Sequence, residues 1–145
     1  MKSFQEVEKE VAKLARRVGA SLHDLPTYGV SRDFGYPHIE VKDGLYHYVV
    51  VERGEERERR SSADFDDLVY WIFKSVTQSM AFFPEDMTGI RDQDCRRVAF
   101  PKQIQLMKRL GPKMAERLER DIAEILRQAP YDDEPTKALN RTRKT

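Results

Sequence analysis

Cysteine is nearly absent from this chain, with Cys95 the only one in 145 residues. A lone cysteine excludes a disulfide framework and a thiolate-rich metal site, and makes a reduced cytosol the expected compartment. Long apolar runs are absent too. None approaches the roughly 18 residues that a bilayer-spanning helix takes, and the opening MKSFQEVEKE lacks the apolar stretch of a signal peptide. Nor does one sign of charge dominate, because 26 basic and 25 acidic side chains leave a formal charge of +1. Four of the bases, Lys137, Arg141, Arg143 and Lys144, lie in an acid-free C-terminal stretch. Without those four, the body carries three more acids than bases. That balance disfavours both a strongly basic nucleic-acid domain and a polyacidic nucleic-acid mimic.

Catalytic signatures are equally scarce. No G-x-S-x-G, P-loop or G-x-G-x-x-G occurs, which removes the usual hydrolase and nucleotide-binding motifs. His38, Glu40 and His47 fall on one face of a predicted sheet and are the best candidates for a metal. HIE matches the H-x-E half of the zinc-deaminase signature, but no P-C-x-x-C follows it. The simpler reading is polar residues on a partly solvated face. Cys95 beside Arg96 and Arg97 lacks a recognisable base, so it is weak as a nucleophile. The expectation is a protein that is not an enzyme and takes no cofactor and no metal.

What the chain does contain is well-patterned structure. At 39% hydrophobic and 35% charged, residues 1–130 are expected to form one α+β domain. Ser3 and Glu6 spell a capping box, and Phe4, Val7, Val11, Leu14, Ala15 and Val18 follow at helical spacing up to a stop at Gly19. Residues 20–37 mix turn formers with Leu22, Leu25, Tyr28, Val30, Phe34 and Tyr36, a long loop either pinned by its own side chains or used for contact. HIEVK and LYHYVVVE around Asp43-Gly44 read as a β-hairpin, with Lys42 opposite Leu45, Glu40 opposite His47 and Ile39 opposite Tyr48. Its core face carries Ile39, Val41, Tyr46, Tyr48 and Val50.

Gly54 marks a second turn into the charged stretch EERERR. Two registers compete there. A Gly54-Glu55 turn pairs Arg53 with Glu56 and Glu52 with Arg57, whereas an Arg53-Gly54 turn sets Glu52 against Glu55. Charge favours the first, making residues 56–60 the third, edge strand of an antiparallel meander spanning about 38–60. Arg57 and Arg59 then share the core side with Glu52, and Glu52 is expected to pair with one of Arg57, Arg59, Arg96 or Arg97.

Three or four helices are expected after the meander. Ser62 or Asp64 can cap the first, whose stripe is Phe65, Leu68, Val69, Ile72, Phe73, Val76, Met80 and Phe83, ending near Pro84. Residues 84–93 read as a connector. A helix from Asp92 or Asp94 carries Val98, Phe100, Ile104, Met107 and Leu110, with Pro101 forcing a kink or a restart. Gly111-Pro112 introduces the last, carrying Met114, Leu118, Ile122, Ile125 and Leu126. Residues 131–145 read as a mobile basic tail, too polar to pack.

Four blocks together, PHIEV (37–41), YHYVVVERGEE (46–56), DFDDLVYWIF (64–73) and DQDCRRVAFPKQ (92–103), resemble the immunity protein 63 family of bacterial polymorphic toxin systems. The resemblance covers roughly residues 25–130 and is carried most specifically by ERGEE and YWIF. It implies a cytoplasmic protein that binds and neutralises a toxin encoded beside it. The matching polar or unusual positions are His38, Glu52, Arg53, Gly54, Trp71, Asp94, Arg96 and Arg97, expected mainly to hold the fold. Contacts to the toxin are expected instead from Tyr28, Arg32, Asp33, Phe34 and Tyr36. Interface hot spots favour Tyr and Arg on loops held by a scaffold. The competing surface is the charged sheet edge at Glu55–Arg60, and the competing function a small nucleic-acid-binding or regulatory module using the arginine clusters.

Overall fold

The computed structural model describes residues 1–82 and 92–143. They form two compact units, Met1–Val76 and Thr77–Thr145. The first opens with α1 (Phe4–Val18), which begins and ends as its sequence dictates. Ser3 Oγ accepts the Glu6 N–H at 3.2 Å while Glu6 reaches back to Ser3, and Gly19 closes the helix in the left-handed region. Val7, Val11, Ala15 and Val18 are buried, each valine contributing on the order of 1.5–3 kcal/mol through removal from water.

The sheet has four strands, β1 (Thr27–Tyr28), β2 (Pro37–Lys42), β3 (Leu45–Glu52) and β4 (Glu55–Ser62), in the order β1-β2-β3-β4. The expected three-stranded antiparallel meander is therefore incomplete. A two-residue strand from the long loop adds a parallel pairing, Thr27 with His38 and Tyr28 with Ile39. So short a strand carries no periodicity by which a sequence could announce it. The first hairpin has the anticipated register, including Lys42 opposite Leu45, Glu40 opposite His47 and Ile39 opposite Tyr48.

The second hairpin does not. Glu52 lies opposite Glu55, with Arg53 and Gly54 as the turn. Both turn residues have positive φ, 55° and 75°, as do Asp43 and Gly44 at 54° and 72°. That is the two-residue geometry whose twist matches paired strands. Turn geometry outweighs charge here because Glu52 and Glu55 are both exposed, where a like-charge pair costs only a few tenths of a kcal/mol. A bulge then sets Val51 opposite Glu56 and Val50 opposite Glu58, leaving Arg57 unpaired. The bulge also changes the faces. Glu58 and Arg60 share a side with Val50 and Tyr48, while Arg59 joins Val49 and His38 on the other, so the expected placement of Arg57 and Arg59 on the core side is corrected.

Ile39, Tyr46 and Tyr48 are buried on one face, and His38, His47 and Val49 on the other. The second face is partly solvated, as its polar residues suggested, because Glu40 and Val51 stay half-exposed and Lys42, Arg59 and Ser61 exposed beside those buried side chains. α2 (Phe65–Phe82) starts at Asp64, whose Oδ1 accepts the Asp66 N–H at 2.9 Å. Leu68, Val69, Ile72, Phe73 and Val76 are buried, and Tyr46 packs its ring 5.6 Å from that of Phe65. Lys2 ties the start of α1 to β3 through its N–H, donated to Tyr46 Oη at 2.8 Å. The anticipated Phe83, the end near Pro84 and the connector as far as residue 91 lie outside the described residues.

In the second unit α3 (Arg96–Lys108) passes through Pro101 without restarting, and Gly111 with Pro112 introduces α4 (Pro112–Gln128). Ala99, Phe100, Leu106, Met107, Ala115, Leu118 and Ile122 are buried. The buried Gln103 Nε2 donates to Thr77 Oγ1 at 3.3 Å. Residues beyond Pro130 are not without structure, since Glu134–Arg143 form α5.

Candidate partner-binding surface and its supporting charge networks

The segment 29–36 leaves β1 and returns to β2 through an unusual backbone. Asp33, Phe34 and Gly35 all have positive φ, at 58°, 57° and 80°. For Asp and Phe this left-handed conformation costs on the order of 1–2 kcal/mol, and it persists where surrounding bonds enforce it. Asp33 supplies those bonds. Its N–H donates to Ser31 Oγ at 2.9 Å, its Oδ1 accepts the Phe34 N–H at 2.8 Å, and its Oδ2 accepts the Gly54 N–H at 3.1 Å. Gly35 N–H donates to the Val51 carbonyl at 2.9 Å. The loop is thereby fastened to the β3–β4 turn on both sides of Phe34. Phe34 itself is 82% exposed and Tyr36 47%. Arg32 lies over the Tyr36 ring at 4.4 Å and donates through Nη2 to the Leu25 carbonyl at 3.0 Å.

The five loop residues singled out from the sequence therefore divide. Arg32, Asp33, Phe34 and Tyr36 come together at one end of the sheet. Tyr28 does not join them as an exposed group. It is half-buried in β1, and burial, with Glu8 adding to it, raises its phenol above the ordinary range.

The competing surface, β4, is an open edge whose charges are mostly spoken for. Arg57 meets Glu55 at 3.5 Å, Arg60 pairs with Glu58, and Arg59 holds Glu56 at 2.6 Å and Glu40 at 3.2 Å. Glu40 also meets His38 Nε2 at 2.9 Å. Hydrogen bonds from His38 and then Arg59 bring the Glu40 carboxyl down to about 2. This ionic row crosses β3 above Val49, which lies between His38 and Arg59 in the register. His47 uses Nδ1 with Ser61 Oγ at 2.7 Å and Nε2 with the Lys42 carbonyl at 3.4 Å. Of the three residues weighed as a metal set, His38 and Glu40 thus bond each other while His47 turns to Ser61 and the Lys42 carbonyl. Among the described residues no group of three or more His, Cys, Asp or Glu side chains is arranged to hold an ion.

A second network joins α3 to the chain beyond α4. Asp94, 8% exposed, accepts from the Arg96 N–H at 3.0 Å, from Arg96 Nη2 at 2.8 Å and from the Asp132 N–H at 3.1 Å. The Arg96 guanidinium, foremost, holds the Asp94 carboxyl well below the usual carboxylate range. Arg96 continues to the carbonyls of Ala129 and Pro130, both at 2.9 Å, capping the C-terminus of α4 with a cation where the helix dipole favours one. Arg97 pairs with Asp133 at 2.9 Å and lies 4.4 Å from the centre of the Tyr131 ring. Sequence reasoning missed Tyr131, Asp132 and Asp133 as partners of DCRR. The available signal was the reciprocal charge of DCRR and YDD. Residues 131–133 pack through their charges, not in spite of them.

Of the remaining motif positions, Trp71 is half-buried on α2, and Arg53 and Gly54 form the turn fastened to Asp33. Glu52 is exposed, and among the described residues it has no ion pair. Arg57, Arg59, Arg96 and Arg97 are taken by Glu55, by Glu40 and Glu56, by Asp94 and by Asp133. The expected Glu52–arginine pair is not formed because the turn shifted the register.

The Immunity protein 63 family matches residues 42–124, more than half of the chain and every element from the first hairpin turn into α4. The chain belongs to the immunity protein 63 family. No curated protein and no solved structure matches it. Within the family match lie ERGEE, YWIF and DQDCRR, which here form the β3–β4 turn, the middle of α2 and the start of α3. The loop carrying Phe34 and the segment 129–133 held by Arg96 and Arg97 lie outside it. Among the described residues, no helix is long and apolar enough to cross a membrane.

Proposed function

We propose that this protein is the neutralising partner of a bacterial toxin of a polymorphic toxin system, binding it in the cytosol by protein–protein contact and catalysing no reaction of its own. Membership of the immunity protein 63 family carries this reading. The surface supports it. Arg32, Asp33, Phe34 and Tyr36 offer an aromatic and charged projection of the kind that interfaces use as anchors, with the half-buried Tyr28 set apart from it in β1.

The competing nucleic-acid reading is weakened by the pairing of its arginines. Arg57, Arg59, Arg60, Arg96 and Arg97 each meet a carboxylate, so none is a ready phosphate ligand without breaking an ion pair. Co-expression with the toxin encoded by the adjacent gene tests the assignment directly. The expected result is growth rescue together with a complex that survives size-exclusion chromatography. Growth arrest with no complex, alongside retention on a phosphate-bearing resin that falls steeply with salt, would favour the nucleic-acid reading.

A further inference from the structure

The geometry points to one composite docking tip, built from the loop 30–36 and the β3–β4 turn 52–55, that engages a toxin surface presenting an apolar pocket bordered by an arginine or lysine. The inference rests on the function proposed above and adds to it the chemistry of the contact.

Two observations meet at this tip. The first is an apolar side chain held where water is. Phe34 is 82% exposed, in a left-handed backbone that disfavours any residue with a Cβ. Asp33 and Gly35 clamp it by their bonds to Gly54 and Val51. Neither the exposure nor the backbone benefits the isolated fold. Both suit an anchor whose loop entropy has been removed before binding. Val30, 70% exposed, and Tyr36, stacked under Arg32, are further exposed apolar residues of the same loop.

The second observation is charge, and it selects the occupant. Glu52 and Glu55 stand directly opposite one another at the end of the hairpin. Arg57 reaches Glu55 at 3.5 Å, whereas Glu52 has no ion pair among the described residues. The Arg32 cation is already engaged by Tyr36 and the Leu25 carbonyl. A partner cation placed against Glu52 relieves the like-charge pairing as Phe34 enters its pocket. Asp33 joins the two halves, since one of its carboxylate oxygens bonds the Phe34 N–H and the other the Gly54 N–H. The turn belongs to the region shared with the family, whereas the loop lies outside it. On this arrangement the turn supplies a common charge contact and the loop the contact particular to this protein's toxin.

The test uses the full chain and a catalytically inactivated form of the toxin encoded beside it, with affinity measured by calorimetry at low and high salt. Phe34→Gly is expected to weaken binding about 30-fold or more while leaving the thermal midpoint unchanged or higher, because glycine adopts the left-handed backbone freely. Unfolding therefore cannot mimic the loss. Glu52→Lys is expected to weaken binding about 10-fold at low salt and less at high salt. Affinity within threefold of wild type for either variant overturns the composite tip while leaving the proposed function intact. Self-association of the wild type that Phe34→Gly abolishes also overturns it, by making a second copy the occupant. A wild-type chain that neither binds the toxin nor protects cells removes the functional reading and the tip together.

Discussion

Replacing Asp94 by asparagine tests how much the second unit depends on one carboxylate. The substitution keeps the side chain's shape but turns one oxygen into a donor facing donors, the Arg96 guanidinium and the N–H groups of Arg96 and Asp132. Removing one partner of a fully buried ion pair costs about 3–5 kcal/mol. Arg96 retains 20% side-chain exposure and keeps its bonds to the Ala129 and Pro130 carbonyls, so the cost should be about 2–3 kcal/mol. At about 3 °C per kcal/mol for a chain of this length, the thermal midpoint at pH 7 should fall by about 6–9 °C. The pH dependence has a definite sign. The Asp94 carboxyl is depressed in the folded state, so its stabilisation is complete above the unfolded-state value and is lost as pH falls towards the folded-state value. The gap between wild type and variant should therefore narrow by about 1 kcal/mol between pH 7 and pH 3. Circular dichroism melts at the two pH values measure both quantities. A variant melting within about 2 °C of wild type at pH 7 would refute the assignment of Asp94 as the organising group.

Three further substitutions probe the sheet. Glu52→Ala should change stability by no more than about 0.5 kcal/mol, as for other exposed positions; a loss well above 1 kcal/mol in chemical denaturation would restore a hidden arginine partner. Arg53→Asn should stabilise by a few tenths to about 1 kcal/mol, since asparagine tolerates positive φ better than arginine does, and a lowered denaturation midpoint would contradict the observed turn. Glu40→Gln should cost about 1 kcal/mol at pH 7. The wild-type carboxyl lies at about 2, so its contribution is present above about pH 5 and fades as pH falls towards 2. Equal acid sensitivity of wild type and Glu40→Gln below pH 5 would dismiss the His38–Glu40–Arg59 row as a stabilising unit.

Much of the fold was legible because its signals are local. The capping box at Ser3, the apolar stripes of α1 and α2, the Asp43-Gly44 hairpin and the Gly111-Pro112 break each involve residues close in sequence. Local hydrogen bonding and side-chain period determine their outcome whatever surrounds them. The Immunity protein 63 resemblance was legible for a related reason, since ERGEE, YWIF and DQDCRR are contiguous blocks read in order.

The failures came wherever two effects of different range competed. For the second hairpin, pairing of unlike charges and the twist of a two-residue turn demanded different registers, and the sequence lists the charges without stating their exposure. With Glu52 and Glu55 in water, screening reduced the charge effect below the turn's preference. Burial of His38, His47 and Val49, the parallel strand at Thr27–Tyr28, the clamp of Asp33 on Gly54 and the hold of Arg96 and Arg97 on residues 129–133 all join segments far apart in the chain. Composition and short-range period carry no record of such pairings. The sequence by itself determined α1, α2, the Asp43-Gly44 turn, the Gly111-Pro112 break and which family the chain joins. Tertiary structure alone decided which charges are buried together and which remain in water, because a charge's energy depends on the dielectric and the neighbours that folding brings to it.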